Sequence, residues 1–177
     1  NQGTNFTSTK DEYKKIERLI KHQDNRKYWL YAPGEKASMW DEFYGQGIMG
    51  LGWDEIGDLN LLGDKKNITE TIQKKLKTES KSFNSALANY EFRDSISIGD
   101  VIIAKKGTQE YLGYGIVTSN YFYDDLRTTF KKCRKVEWIK KGIWPEPSAD
   151  IVLKTLTDIT KYPTYLERLK KLIGIEM

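Results

Sequence analysis

The chain has 177 residues, a formal net charge of +4, one Cys and one His. That is one domain, or one domain with a tail, long enough to bury a real core; a lone Cys133 and a lone His22 exclude a Cys/His zinc site and a disulfide framework, and suit a reducing, cytoplasmic setting. No apolar run approaches a membrane span, no signal peptide is visible, and a start at Asn1 rather than Met suits a trimmed fragment. In chain order, residues 1–8 are polar, and Thr9-Lys10-Asp11-Glu12 reads as a capping box. The helix behind it carries Tyr13, Ile16, Leu19 and Ile20 on one face, and His22 reads as a solvated residue near its end. Residues 28–31 and 48–53 read as strands, and Ser38-Met39-Trp40-Asp41 between them signals a short helix capped by Ser38. In 48–53, Gly50 and Gly52 fall on one face and Met49, Leu51 and Trp53 on the other. A face that bare admits another backbone or a flat ligand.

Asn67, answered by Glu70, reads as the cap of a helix with a thin stripe of Ile68, Ile72 and Leu76. Ser82 reads as the cap of another, whose apolar face is Phe83, Ala86, Leu87 and Tyr90. The period then changes to two: residues 101–104 are a buried strand, 105–110 a polar loop around Gly107, 111–118 a second glycine-faced strand with Gly113 and Gly115, and 131–139 a further strand. Trp144-Pro145 closes a turn, and Thr164-Tyr165-Leu166-Glu167 opens a last helix that stops at Gly174. The order is mixed α+β rather than alternating βαβ, and glycine-faced strands bend, so the expected architecture is a curved mixed sheet or partial β-barrel flanked by helices. Its parts are a tail and helix over 1–26, a core over 27–145, and a C-terminal segment over 146–177 that packs on the core or leads to a following module.

No Walker A loop, GxGxxG or GxSxG is present. Glu12-Tyr13-Lys14 has the bare E-x-K spacing of nucleases but lies on the first helix without a preceding strand, and Asp124-Asp125 reads as turn chemistry. The domain therefore reads as a binder rather than an enzyme, with no cofactor and no metal. Its candidate site gathers Trp53 and Asp54 at the end of the glycine-faced strand, Ser38 and Trp40 before it, and Tyr121 and Tyr123 after the second such strand. Lys105, Lys106, Lys131, Lys132 and Arg134 supply positive charge for phosphates. Rings beside basic loops suit an unstacked nucleobase, each stacked base contributing roughly 1–3 kcal/mol. Trp29 and Trp138, inside strands, read as core rings.

Several short runs resemble a known family. Tyr28-Trp29-Leu30-Tyr31-Ala32-Pro33-Gly34, Met39-Trp40-Asp41-Glu42-Phe43 and Gly50-Leu51-Gly52-Trp53-Asp54 are similar to the EVE-type domain of the PUA-like superfamily, related to YTH domains. With Ile98-Gly99-Asp100-Val101-Ile102, Gly113-Tyr114-Gly115-Ile116-Val117, Val136-Glu137-Trp138 and the 154–160 segment, they resemble more narrowly the N-terminal domain of McrB-type modification-dependent restriction GTPases. The resemblance covers residues 27–173. It implies a reader of double-stranded DNA that flips a modified base, N6-methyladenine or a 5-modified cytosine, into an aromatic pocket, alongside a GTP-hydrolysing AAA+ module and a separate nuclease subunit that lie outside this chain. It also implies that Trp53 is a cage ring and Ala32-Pro33-Gly34 a pocket wall. The second ring, Tyr121 or Tyr123, is not fixed by motif. Where YTH domains place a hydroxyl residue after the cage Trp, Asp54 stands here, and an ionised Asp54 would accept from the exocyclic amine of adenine or cytosine. The alternatives are a YTH-like reader of methylated RNA and a protein-interaction module.

Overall fold

The computed structural model describes residues 10–76, 82–148 and 151–176. Its centre is a mixed seven-stranded sheet in the order β2-β6-β4-β3-β1-β7, with β5 also paired to β6. The strands are β1 (Tyr28–Tyr31), β2 (Ile48–Leu51), β3 (Val101–Lys106), β4 (Glu110–Val117), β5 (Phe122–Tyr123), β6 (Lys132–Pro145) and β7 (Leu156–Asp158). β1 and β3 pair in parallel, Tyr28 opposite Val101, and all the other pairs are antiparallel. The long β6 makes the sheet curl: its first residues pair with β2 and β5, while its remainder pairs with β4 through two register shifts. The Trp144-Pro145 turn expected from the sequence is instead the end of this strand, because Tyr111 and Glu110 extend the ladder to both residues. The result is an α+β fold with a curled mixed sheet and flanking helices.

The helices are α1 (Lys10–Asp24), α2 (Trp40–Gln46), α3 (Lys65–Leu76), α4 (Ser82–Tyr90) and α5 (Pro163–Ile173). Both faces of the sheet are covered, so β1 is buried at all four positions. Tyr28, Leu30, Val101 and Ile103 pack against Leu166, Leu169 and Ile173 of α5. Trp29, Tyr31 and Ile102 pack on the opposite side with Phe43, Met49, Leu51 and Phe92. The C-terminal segment joins the sheet as β7, opposite β1. No helix among the described residues is long and apolar enough to cross a membrane.

Several local expectations shift. Ser38 closes a 3-10 turn over Glu35–Ala37, and Met39 precedes α2 without a side-chain cap. Asp64, not Asn67, caps α3, its Oδ1 accepting from the Asn67 amide at 2.9 Å. Thr9 and the Ser82 side chain lie outside the described residues. On α4 the buried residues are Ser85, Ala86, Ala88 and Asn89, and Phe83 is exposed. A π turn over Glu91–Ser95 then rotates the phase and buries Phe92. On α1, Tyr13 and Ile16 are 62% and 49% exposed, so the face drawn from the sequence is not buried at these two positions.

One buried carboxylate fixes the β1–β3 start. Asp100 accepts from the Trp29 indole at 2.9 Å, the Lys27 amide at 3.0 Å and the Ser97 amide at 2.9 Å. Asp100→Ala strands all three donors, two of them on the backbone. The variant is expected to lose about 3 kcal/mol or more of unfolding free energy in a urea titration.

Candidate nucleic-acid interface

The glycine faces that the sequence leaves open are filled from within. A Cβ at Gly50 would lie 2.7 Å from the Phe43 ring and 3.2 Å from Phe130, and one at Gly113 would lie 2.2 Å from the Lys140 carbonyl. Phe43 and Phe130 meet edge to face at 5.7 Å and cover β2. The open space lies at the end of this strand. There a cavity of about 360 Å³ is walled by Ala32 and Gly34 after β1, Glu35 and Lys36 of the 3-10 turn, Gly52 and Trp53 after β2, Lys105 and Gly107 at the β3–β4 turn, and Leu153, Lys154 and Thr155 before β7. Its volume is at the small end of the range for ligand sites, the scale of a base or a single nucleotide rather than a large cofactor.

Trp53 is half-buried and holds φ 57° and ψ 50°, the left-handed region that a non-glycine residue enters at a cost of roughly 1–2 kcal/mol. This breaks the alternation of β2 and lets the ring share two hydrophobic clusters while still facing the cavity. The Trp53 carbonyl accepts from Lys132 Nζ at 2.7 Å and from the Ile56 amide at 3.1 Å, which holds the conformation. Behind the ring is a second, smaller space of about 100 Å³, lined by Trp53, Ser85, Ala88 and Leu153–Leu156 residues. The cavity wall opposite β2 is tied to β1 by the Ala32 amide donating to the Thr155 carbonyl at 2.8 Å.

Trp53, Ala32, Gly34 and Lys105 of the sequence-derived set meet at this cavity, and the others do not. Trp40 is 6% exposed, packs edge to face on Trp138 at 4.8 Å, and does not line the cavity. Pro33 is buried, and Ser38 is exposed in the preceding turn. Tyr121 donates to Asp58 Oδ1 at 2.9 Å and accepts from the Leu59 amide at 3.1 Å; its ring lies against Phe92, and burial raises its phenol pKa. Tyr123 sits in β5, paired with Lys132. Neither tyrosine forms a second cage ring; the second apolar wall is Leu153, which is 81% exposed beside the cavity.

Asp54 leaves the pocket as well. Its two oxygens accept from the Phe130 amide at 2.8 Å and the Lys131 amide at 2.9 Å, clamping the loop whose Phe130 ring covers Gly50 and Gly52. An exocyclic amine would have to compete with these two amides. Asp54→Asn is therefore expected to weaken the fold by about 1–3 kcal/mol, read from chemical denaturation, without changing which base is preferred.

The phosphate set divides similarly. Lys132 is fully buried on the Trp53 carbonyl, and burial pushes its amine down to about 8 against the pull of Asp54, Glu55 and Asp58. Arg134 is buried and donates to the carbonyls of Phe92 at 2.7 Å, Arg93 at 2.7 Å and Ser119 at 3.1 Å, tying off the end of the π turn. Burial lowers its guanidinium pKa to about 10. Lys106 pairs with Glu110 at 3.2 Å, and Lys131 is half-buried beside the Asp54 clamp. Lys132 and Arg134 thus give these hydrogen bonds to backbone carbonyls and brace the fold. The residues that sequence reasoning missed are Lys36, Leu153, Lys154 and Thr155; the apolar pair Val152-Leu153, exposed just before an edge strand, was the available signal.

Among sequence families, the model of a domain of unknown function, DUF8426, matches residues 29–164, well over half of the chain. The chain belongs to this family. No curated protein matches this DUF8426 domain in sequence. Among solved structures it is similar to the Mmi1 YTH domain in complex with RNA (TM-score 0.46, 13% identity, covering 84% of this chain and 78% of that one). It is also similar to the YTH domain of Zygosaccharomyces rouxii MRB1 in complex with N6-methyladenosine RNA (TM-score 0.42, 13% identity, 84% and 90%) and to protein Atu2648 from Agrobacterium tumefaciens (TM-score 0.43, 17% identity, 84% and 95%).

Proposed function

We propose that this DUF8426 domain binds nucleic acid by taking one unstacked base into the Trp53 cavity. The observation that carries the reading is the strained, half-buried Trp53 facing a base-sized cavity whose walls carry Lys36, Lys105 and Lys154 against a single acid, Glu35. An indole face, an apolar Leu153 wall and a positive rim suit a planar aromatic ligand on a polyanionic chain. The domain is a binder, and the reading assigns it no catalytic step.

The preferred partner is a single strand. Extracting a base from a duplex costs a few kcal/mol of pairing and stacking, which cationic contacts to the backbone would have to offset. With Lys132 and Arg134 buried and Lys106 paired, few of the expected contacts remain for a duplex. A single strand, with its bases already unstacked, avoids that cost. The RNA complexes named above are properties of those proteins; what supports the reading for this chain is the cavity. Modification adds a finer preference: a base methyl laid on Trp53 or Leu153 contributes about 0.8 kcal/mol, about fourfold. A role in modification-dependent restriction, with duplex DNA, an AAA+ GTPase module and a nuclease subunit, rests on the sequence resemblance alone.

The test is a fluorescence-anisotropy titration with labelled single-stranded RNA, single-stranded DNA and duplex DNA, each unmodified and methylated, with magnesium present. Single strands are expected to bind tighter than duplexes, methylated bases a few-fold tighter than their parents, and no probe to be cleaved. Tighter binding to modified duplex DNA than to any single strand would replace this reading with the restriction-type one.

A further inference from the structure

Lys105 sits where few lysines do. It is 2% exposed, at the end of β3, and lines the Trp53 cavity with Gly107. Among the described residues its amine has one hydrogen bond, to the Gly107 carbonyl at 3.2 Å, which leaves two N–H donors. No carboxylate among the described residues pairs with it, whereas its neighbour Lys106 has Glu110. A buried ammonium without a counter-ion is costly unless something anionic completes it. Burial alone pushes the amine down to about 8. The titratable groups that share the cavity wall are Glu35, Lys36 and Lys154, all exposed, so the wall has an excess of cations.

Building on the base-binding reading, we infer that the cavity takes a nucleotide whole, its ring on Trp53 and its own phosphate on the Lys105 ammonium. The sequence alone makes Lys105 one of several cations for a phosphate backbone. Its burial inside the same cavity as Trp53 makes it a contact to the inserted nucleotide itself. Lys36 and Lys154, at the rim, share the charge of that phosphate. Affinity then depends on Lys105 being protonated. A phosphate monoester is already ionised at pH 7, since its second pKa is about 6, so loss of affinity at higher pH reports the lysine. With the free amine near 8, affinity at pH 9 falls about tenfold below that at pH 7.

The experiment compares uridine and adenosine 5′-monophosphates with the corresponding nucleosides, followed by heteronuclear NMR shifts at pH 7 and pH 9, on the wild type and on Lys105→Met and Trp53→Ala. The expected result is a nucleotide bound at least tenfold tighter than its nucleoside at pH 7, displaced by inorganic phosphate. That advantage is lost at pH 9 and in Lys105→Met, which keeps its melting temperature because a buried charge has been removed. Equal affinity for nucleotide and nucleoside, or a phosphate advantage that survives in Lys105→Met, overturns the inference. Nucleosides that bind through Trp53 with no phosphate advantage sink this inference and leave the base-binding reading standing. Binding of all ligands that is indifferent to Trp53→Ala sinks both.

Discussion

Trp53→Ala is expected to weaken binding of a single-stranded oligonucleotide by roughly 1–3 kcal/mol, about five- to 150-fold, while the chain stays folded. Among the described residues the ring is the one aromatic plane at the cavity, so its loss removes the stacking surface and leaves Leu153 and Ala32 as apolar wall. Trp53 also packs on two clusters, so a stability loss accompanies the binding loss. The backbone separates the two effects. Because residue 53 holds φ 57°, Trp53→Gly removes the same ring but relieves about 1 kcal/mol of left-handed strain. The glycine variant should therefore melt higher than the alanine variant and bind equally poorly, whereas Trp53→Phe should retain part of the affinity. Parallel melting curves and anisotropy titrations on the three variants check this order.

The second large effect concerns stability rather than binding. Glu146 has a fully buried side chain and accepts from the Arg168 guanidinium at 2.7 and 3.0 Å, from the Ser148 hydroxyl at 3.0 Å, and from the Tyr111 hydroxyl, which also meets Tyr165 at 2.6 Å. Burial alone would raise its carboxyl pKa; the Arg168 fork, Tyr111 and Ser148 outweigh that and bring it down to about 2. The folded-state value lies below the unfolded one of about 4.3, so the stabilisation is present above that pH and is lost as pH falls toward 2. The gap corresponds to about 3 kcal/mol. Glu146→Gln is expected to lower stability by about that amount at pH 7 and to flatten the pH dependence of unfolding between about pH 5 and pH 2. An unchanged acid profile in the variant would remove Glu146 from this role. The lock joins β4, the end of β6 and α5, and so fixes the helix that covers one face of the sheet.

Much of this architecture is legible in the sequence because it rests on local periodicity. The β1, β3 and β4 runs, the Gly107 turn and the Gly174 stop follow from alternation and from glycine's conformational freedom. Trp53 and Lys105 are within reach because they stand where strand-like runs end, and Ala32 and Gly34 through the family resemblance. What failed was set by partners distant in the chain. Asp54 reads as a free acceptor until the Phe130 and Lys131 amides, more than seventy residues on, fold onto it. Arg134 reads as a surface cation until the π turn brings the Phe92 and Arg93 carbonyls, and the loop after β4 the Ser119 carbonyl, to its guanidinium. Leu153 carries no motif, Lys154 only opens a segment of the family resemblance, and both reach the cavity through the pairing of β7 with β1. The two bare glycine faces are places of close approach, and the occupants are the protein's own Phe43, Phe130 and Lys140 carbonyl.

The central claim is that a base lies on Trp53, and the indole N–H signals of the five tryptophans test it most directly. Trp29 donates to Asp100 at 2.9 Å, and Trp138 to the carbonyls of Phe43 at 3.2 Å and Ile48 at 3.1 Å, so both serve as internal references. On titration of a short single-stranded oligonucleotide, the Trp53 indole signal is expected to shift upfield and saturate while those two stay in place. A saturating titration in which the Trp53 signal does not move, or moves no more than those of Trp29 and Trp138, would contradict the account.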